Sequence, residues 1–341
     1  MKLTVDQIRD VTCGAVSVTE EQDGIHLFRF TKEQMDLYEA RDPGFYSKTL
    51  SSAGMCLRFH TDSTKLFLQL QVVPQSGSRR YFSIEFFVNG ICVDSIENFS
   101  DVDLSGDYTA IPLPTGEFSK NVRLGKGEKE VCVYLPWNMN TVIKVCSLDD
   151  DASVVPVKPE KKLLCFGDSI TQGYDALRPS HRYTSKLAAC LNAEEYSKAI
   201  GGEFFWPALA NTKEGFIPDY ITVAYGTNDW SRLPYETFQN ECKAFYENLS
   251  KNYPNTPIFA ITPIWRADTD RTTDFPNFEV VECYIREVAE PLSNVMVISG
   301  FDLVPHDTKF FADLYLHPND FGFGKYYKNI KKHVKTKLKN K

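Results

Sequence analysis

The chain has 341 residues, enough for about two domains. Hydrophobic residues make up 43% and charged residues 24%, which is typical of soluble globular proteins and excludes disordered and fibrous ones. The 38 Lys and Arg against 45 Asp and Glu give a net charge of −7, and a mildly acidic surface repels polyphosphate, so we expect no nucleic-acid partner. Aromatic residues, at 13%, favour strand-rich packing and clefts that suit sugar-like ligands.

The distribution of apolar residues and cysteines bears on the compartment. The N-terminal stretch MKLTVDQIRDVTCGAV lacks a basic segment followed by a continuous apolar run, and no segment reaches the ~20 apolar residues that cross a bilayer. We therefore expect a cytoplasmic protein without a membrane partner. The nine cysteines are scattered and never spaced C-x-x-C, which predicts neither a disulfide framework nor a zinc site.

Segments between residues 55 and 148 alternate apolar and polar positions or are rich in Val, Ile and Phe, which indicates β-strands. Turn residues separate the runs MCLRFHT (55–61), KLFLQLQVV (65–73), YFSIEFFVNGICVDSI (81–96), VRLGKGEKEVCVYLPW (122–137) and TVIKVCSL (141–148). Asn89-Gly90 predicts a two-residue type I′ hairpin, and GKGEK (125–129) predicts a second hairpin. Without helical stretches between them, these strands favour an all-β sandwich of jelly-roll type.

The composition changes at DDDASVVPVKPEKK (149–162), where acidic residues, prolines and a basic cluster interrupt the alternation. We place the boundary here, with an N-terminal β-sandwich domain at 1–155 and a second domain at 156–341. Beyond it, strands alternate with helices, which predicts a five-stranded parallel sheet covered on both faces. The predicted strands are 162–167, 194–200, 219–226, 256–264 and 294–300, and the predicted helices lie near 181–192, 204–212, 234–252, 276–290 and 320–338.

Ligands of such a sheet bind beyond the carboxyl ends of its strands, so the residues that end each strand are the candidates for chemistry. The first strand ends in Gly167-Asp168-Ser169-Ile170, and a serine there becomes a nucleophile if a base can take its proton. His317, before the last helix, is the candidate base. The backbone N–H groups of Ser169 and Gly202 and the Asn228 amide are candidate donors for an oxyanion hole.

Four ordered blocks, GDSI (167–170), AIGG (199–202), GTND (226–229) and LHPND (316–320), resemble those of the SGNH, or GDSL-type, esterase and acylhydrolase superfamily. The resemblance covers roughly residues 160–338. It implies a flavodoxin-like three-layer α/β/α domain and a cofactor-free, metal-free site. It assigns Ser169 as nucleophile, His317 as base, and Ser169, Gly202 and Asn228 as the oxyanion hole. Because Gly201 is adjacent to Gly202, spacing alone leaves either glycine open.

One position departs from the family pattern. The family usually places an Asp three residues before the catalytic His, and Leu314 occupies that position here. Asp313, four residues before His317, is our candidate for the third member of the triad, and Asp307 is the weaker substitute. Some members of the superfamily instead use a main-chain carbonyl and a Ser-His dyad, so a dyad stays an alternative.

The segments SAGMCLRFHTDSTKLFLQL, FFVNGICV and EKEVCVYLP are similar to the β-sandwich module that precedes the hydrolase domain in some SGNH carbohydrate esterases and acyl-transfer enzymes. That module either walls the active-site cleft, binds sugar by itself or only covers the catalytic domain. Trp206, Trp265 and Arg266 fall near the carboxyl edge of the sheet and are candidate substrate contacts.

Together these features predict a serine esterase that hydrolyses small O-acyl esters, with O-acetyl groups on carbohydrates as the preferred class. The predicted partner is thus a small acyl ester or an acetylated sugar. An acyltransferase with the same acyl-enzyme is the nearest alternative. A catalytically inactive carbohydrate-binding protein is the alternative from another functional class. The sequence fixes neither the acyl length nor the oligomeric state.

Overall fold

The computed structural model describes residues 1–75, 77–104 and 111–339 of the chain, which build two antiparallel sheets followed by one parallel sheet. The first part contains, in chain order, α1 (Val5–Val11), β1 (Thr12–Cys13), β2 (Ser17–Glu21), β3 (Gly24–Phe28), α2 (Lys32–Arg41), α3 (Pro43–Thr49), β4 (Cys56–Thr61), β5 (Lys65–Pro74), β6 (Ser83–Val88), β7 (Ile91–Glu97), β8 (Gly116–Arg123), β9 (Lys129–Tyr134), β10 (Met139–Leu148) and β11 (Val155–Pro156).

These strands form two sheets around a shared core. One sheet has the order β1-β4-β9-β6-β7, with β11 also paired to β4, and the other has the order β2-β3-β10-β5-β8. Leu57 and Phe59 of β4 pack in one cluster with Leu68 and Leu70 of β5, and all four side chains are fully buried. The period-two pattern therefore arises from strands that bury one face between the sheets. The prediction of an antiparallel β domain is confirmed, and its jelly-roll connectivity stays a prediction.

The two predicted hairpins have different outcomes. Asn89 and Gly90 join β6 to β7 with φ angles of 49° and 78°, the left-handed values that a type I′ turn requires. The GKGEK hairpin is wrong, because β8 pairs with β5 in one sheet whereas β9 pairs with β4 and β6 in the other. The local turn signal was correct, but the chain uses the turn to cross between sheets.

The helices α1, α2 and α3 were not predicted. Thr4 and Gln7 form a capping box at the start of α1, and Thr31 and Gln34 form another at the start of α2. Helix α2 lacks an apolar stripe, because Gln34 and Tyr38 are its buried residues, so hydrophobic periodicity gave no signal. The capping pattern Thr-x-x-Gln was the signal available in the sequence.

The second part alternates strands and helices as predicted. Its elements are β12 (Lys161–Gly167), α4 (Ser169–Gln172), α5 (Tyr183–Leu191), β13 (Ala193–Ser197), α6 (Pro207–Asn211), β14 (Tyr220–Ala224), α7 (Thr227–Arg232), α8 (Tyr235–Asn252), β15 (Ile258–Ile261), α9 (Glu279–Ala289), β16 (Val295–Ile298) and α10 (Asp320–Lys339), with short 3₁₀ turns at Pro179–His181 and Thr308–Phe310.

The parallel sheet has the order β13-β12-β14-β15-β16 and is covered on both faces. Leu164 and Phe166 of β12 pack in one cluster with residues of α8 and α9. Leu163 and Cys165 pack in another with residues of α5 and α10. The expected three-layer α/β/α fold is confirmed. Because the order reverses at β12, this strand ends at the crevice where open α/β sheets bind ligands.

Arg29 joins the two parts of the chain. Its fully buried guanidinium donates to the carbonyl oxygens of Ser197 (2.9 Å), the last residue of β13, and of Ala199 (2.8 Å). It also donates to those of Ser51 (2.9 Å) and Lys48 (2.8 Å). The N-terminal part thereby holds the segment that leads to Gly201 and Gly202. The domain boundary stays a prediction, and the short strand β11 pairs with β4 across it.

None of the helices in the described residues combines the length and the apolar character needed to span a membrane.

We expect Arg29→Met to lower the free energy of unfolding by about 3 kcal/mol or more, because the buried carbonyl oxygens of Ser51, Ser197 and Ala199 lose this donor. Urea unfolding followed by tryptophan fluorescence measures the effect. The control is Arg123→Met at an exposed position of β8, which should change stability by about 0.5 kcal/mol or less. Equal effects of the two variants would contradict this role of Arg29.

Candidate active site

Ser169 lies at the first turn beyond β12, as residue one of α4. Asp168 caps this helix, its carboxylate accepting from the N–H of Ile170 at 2.9 Å. A Cβ atom on Gly167 would lie 2.3 Å from Thr171 Oγ1, so only glycine allows this tight connection between strand and helix. The short turn therefore holds the Ser169 hydroxyl at the carboxyl edge of the sheet. Burial raises the pKa of Asp168 to about 6.

The Ser169 side chain contacts the imidazole of His317, although 148 positions separate the two residues. Ser169 Oγ lies 2.8 Å from His317 Nε2, and His317 Nδ1 lies 2.6 Å from Asp313 Oδ2. All three side chains are largely buried. A proton on Nδ1 is thus directed to the carboxylate, which leaves the Nε2 lone pair facing the serine hydroxyl.

The loop around Asp313 explains how an acid four residues before the histidine reaches it. Asp313 Oδ1 accepts from the backbone N–H groups of Tyr315, Leu316 and His317 at 3.1, 2.8 and 3.0 Å. Leu314 has a φ of 65°, so the chain turns tightly at the additional residue. The structure places Asp307 elsewhere, as the exposed cap of a 3₁₀ turn. The geometry supports Asp313 over Asp307.

The charge state of Asp313 follows from these contacts. Burial alone would raise its pKa, but the hydrogen bond and charge of His317 and the backbone N–H donors outweigh burial and lower the pKa to about 2. The carboxylate therefore stays ionised at every pH at which an esterase is assayed. It can hold the imidazole orientation and stabilise the imidazolium form.

Two further charged residues flank the histidine, and sequence reasoning missed both. Asp175 Oδ2 lies 3.9 Å from His317 Nδ1, and Arg79 Nη2 lies 3.3 Å from the same atom. Arg79 Nε is paired with Asp175 Oδ1 at 3.0 Å, and Tyr81 donates its hydroxyl to that oxygen at 2.8 Å. Arg79 comes from the N-terminal part of the chain. Its guanidinium pairs with Asp175 and also lies 3.9 Å from Asp313 Oδ2, so it contacts both carboxylates near His317.

The arrangement around the two glycines favours Gly202 as an oxyanion donor. The N–H of Gly201 donates to Gln172 Oε1 at 2.7 Å and is therefore occupied. The N–H of Gly202 has no acceptor among the described residues, and its φ of 86° is a conformation that glycine adopts freely. Asn228 Nδ2 donates one of its two hydrogens to Glu203 O at 3.0 Å, which leaves the other for a ligand.

Buried Asp229 connects the loops that carry these donors. Its two carboxylate oxygens accept from the N–H groups of Phe205 and Gly226, each at 3.1 Å. Burial raises its pKa to about 7. The fourth residue of the GTND block therefore fixes the position of Asn228 relative to the loop after Gly202.

The two tryptophans proposed as substrate contacts lie in aromatic clusters. The Trp206 ring centroid is 4.7 Å from that of Tyr38, and the Arg41 guanidinium covers it at 4.4 Å. Trp265 stacks on His306 with a centroid distance of 5.4 Å. Trp206 thus packs against helix α2, and Trp265 packs on the segment before the histidine loop. Their contact with substrate stays a prediction.

Arg266, the third candidate substrate contact, is bound by polar groups of the protein itself. It is 2% exposed, and its guanidinium is paired with Asp268 at 2.5 Å and donates to the carbonyl oxygen of Thr227 at 3.1 Å. Its donors are thus used within the protein, next to Asn228. These contacts favour a role for Arg266 in positioning the GTND segment, and its contact with substrate stays a prediction.

Asp313 should make stability depend on acid pH. Its folded pKa of about 2 lies below the ordinary 3.8, so the unfolded chain binds more protons and acid favours unfolding. The contribution, about 2 kcal/mol, should be complete above about pH 5 and be lost as the pH falls towards 2. Urea unfolding between pH 2.5 and 6 should show a flatter profile for Asp313→Asn. Exposed Asp10→Asn is the control, and parallel profiles for wild type and Asp313→Asn would refute the assignment.

Comparison with known proteins agrees with this geometry. The model of the GDSL-like lipase/acylhydrolase family matches residues 165–324, which contain all four blocks. No curated protein matches the chain at a significant level.

Solved structures give a match over both parts of the chain. The salicylyl-acyltransferase SsfX3 from a tetracycline biosynthetic pathway is 19% identical, covers 95% of this chain and 94% of its own, and gives a TM-score of 0.78. A protein described as a GDSL-like lipase from Bacteroides ovatus is also 19% identical, with coverages of 99% and 98% and a TM-score of 0.74. An acetyl xylan esterase, Est2A, from the rumen bacterium Butyrivibrio proteoclasticus is 16% identical, with coverages of 99% and 98% and a TM-score of 0.63. At these identities the likeness is one of fold. Together with the family match, it confirms the resemblance drawn from the four blocks: the second part of the chain, over residues 165–324, matches the GDSL-like lipase/acylhydrolase family.

Proposed function

We propose that the protein is a serine esterase that hydrolyses small O-acyl esters through an acyl-enzyme on Ser169. The observation that carries this proposal is the continuous line of hydrogen bonds from Ser169 Oγ through His317 to Asp313, with distances of 2.8 and 2.6 Å. A buried hydroxyl hydrogen-bonded to a base, with backbone and amide donors that no described residue occupies at the ends of the neighbouring strands, is an arrangement suited to acyl transfer.

In the first half of the reaction, His317 Nε2 takes the proton of Ser169 as Oγ attacks the ester carbonyl carbon. The oxyanion that forms would accept from the N–H groups of Ser169 and Gly202 and from the free N–H of Asn228. Asp313 stabilises the imidazolium through the Nδ1 hydrogen bond. When the tetrahedral intermediate collapses, the C–O bond to the alcohol breaks and the imidazolium gives its proton to the leaving oxygen.

In the second half, neutral His317 takes a proton from water as the water oxygen attacks the acyl carbon. The same donors stabilise the second oxyanion, and the imidazolium returns its proton to Ser169 Oγ as the acid leaves. An acceptor alcohol in place of water would give acyl transfer by the same steps. The likeness in fold to SsfX3, which is described as a salicylyl-acyltransferase, supports acyl transfer as the second candidate function.

For the substrate, O-acetyl groups on carbohydrates remain our preferred class. The likeness in fold to an enzyme described as an acetyl xylan esterase supports this preference over the whole length of the chain. The partner would then be an acetylated sugar, and the reaction needs no cofactor, because every proton transfer is assigned to His317.

Reaction with 4-nitrophenyl acetate should give a burst of 4-nitrophenol approaching the enzyme concentration, because this activated ester acylates the serine faster than water releases the acetyl group. Mass spectrometry of the acid-quenched protein should locate one acetyl group on Ser169. Ser169→Ala should abolish both signals, and Ser180→Ala, at a half-buried serine outside the site, is the control. Hydrolysis that continues undiminished in Ser169→Ala would contradict covalent catalysis at this residue, and binding of acetylated sugars without turnover would favour an inactive binding protein. Transfer of the acetyl group to an added alcohol in preference to water would favour the acyltransferase.

Asp313→Asn should lower kcat about 10²- to 10⁴-fold, because the Nδ1 hydrogen bond then no longer fixes the reactive tautomer. The matched control is Asp307→Asn at an exposed position in the preceding turn, which should retain kcat within about twofold. Steady-state kinetics with the same ester measure both variants. A loss of less than tenfold for Asp313→Asn would mean that the site works without this carboxylate, as a Ser-His dyad.

A further inference from the structure

Two cationic side chains lie directly beside the backbone donor that we assign to the oxyanion. A Cβ atom placed on Gly202 would lie 3.3 Å from Arg232 Nη1 and 3.8 Å from Lys48 Nζ. Lys48 belongs to helix α3 of the N-terminal part, whereas Arg232 ends helix α7, which begins with Thr227 and Asn228. Two separate segments thus bring positive charge to the same glycine.

Lys48 is held in place from two sides. Its ammonium donates to the carbonyl oxygen of Gly201 at 2.7 Å and lies 5.0 Å from the centroid of the Phe45 ring. Burial lowers its pKa; the charge of Glu203 opposes this shift, and the charge of Arg232 adds to it. A half-buried ammonium next to a second cation gains most from a negative charge that approaches both.

The acidic groups nearby have partners other than Lys48 and Arg232, and one oxygen of Glu203, Oε2, has no hydrogen-bond partner among the described residues. The buried carboxylate of Glu203 is paired with Arg41 at 2.8 Å, and Asp42 accepts from the N–H of Phe45 as the cap of helix α3. Arg232 is exposed, and within the described ranges no carboxylate lies at ion-pair distance from it. Its position at the end of α7 favours the helix dipole, but this does not account for the approach of Nη1 to Gly202.

We propose that Arg232 and Lys48 form an anion subsite beside the oxyanion hole, and that the preferred ester carries a carboxylate or phosphate close to its scissile carbonyl. This inference rests on the proposed function and narrows its substrate class. The charge can belong to the acyl group, as in the half-ester of a dicarboxylic acid, or to the alcohol, as in an acetylated acidic sugar. In either case the guanidinium offers two parallel donors to the anion and the ammonium adds a point charge.

The test uses two pairs of esters that differ in one charge. On the acyl side, 4-nitrophenyl hydrogen succinate is compared with its neutral methyl ester. On the alcohol side, 3-acetoxybenzoate is compared with methyl 3-acetoxybenzoate. For at least one pair, the wild type should prefer the anionic ester by about tenfold or more in kcat/KM, and the pair that shows the preference locates the charge.

Arg232→Gln should reduce that preference about tenfold, Arg232→Lys should retain part of it, and 0.5 M NaCl should weaken it in the wild type. Arg123→Gln, which removes the same charge from an exposed position of β8, is the control and should leave the preference unchanged. No preference in either pair, or a preference that survives Arg232→Gln, would overturn the proposal.

A binding measurement separates this proposal from the proposed function. Calorimetric titration of Ser169→Ala with the four esters reports affinity without turnover. Tighter binding of an anionic ester, lost on adding Arg232→Gln, supports the subsite even if the wild type proves inactive. Equal binding of charged and neutral esters overturns the subsite even if the wild type is an active esterase.

Discussion

The site depends on one contact, the 2.8 Å hydrogen bond between Ser169 Oγ and His317 Nε2. Its two residues lie beyond the first strand of the parallel sheet and before the last helix, so only the assembled sheet can bring them together. The order β13-β12-β14-β15-β16 places the carboxyl end of β12 between the loops that carry Gly202 and Asn228. The topology therefore places the nucleophile, the base and the oxyanion donors at the carboxyl edge of the parallel sheet, so that the side chains are close enough to make contact.

The N-terminal part contributes to both sides of this edge. Arg79 lies 3.3 Å from His317 Nδ1, and Lys48 donates to the carbonyl oxygen of Gly201 at 2.7 Å. Arg29 fixes the backbone between them with donors to Ser197 and Ala199. These contacts favour the interpretation that the N-terminal domain forms one side of the active site over the interpretation that it only covers apolar surface of the catalytic domain. Arg79 also pairs with Asp175, the second carboxylate near His317, at 3.0 Å.

Much of the second part could be predicted, because its strands are continuous apolar runs and its chemistry follows directly at their ends. The family pattern already favoured Gly202 over Gly201, and the hydrogen bond from the Gly201 N–H to Gln172 supports that choice. Nothing in the sequence indicated Arg79 and Asp175 at the site. The two residues are 96 positions apart, so no local pattern links them, and neither belongs to a motif. The GKGEK turn marks two strands correctly but cannot say which sheet each joins, because sheet membership depends on non-local pairing.

Asp313 shows why motif spacing is a consequence of geometry and not a requirement. Its Oδ1 accepts from three successive N–H groups, so the carboxylate itself organises the turn that presents Oδ2 to His317. One additional residue must then adopt a left-handed conformation, and Leu314 does so with φ of 65°. That conformation costs a non-glycine residue about 1–2 kcal/mol, whereas hydrogen bonds to a charged acceptor each contribute about 1.5–3 kcal/mol. Because the Leu314 side chain is 64% exposed, nothing in the core opposes the longer loop. The position of the Asp313 carboxylate is thus determined by the hydrogen bonds within its loop. A spacing of four residues before His317 allows all of these bonds to form.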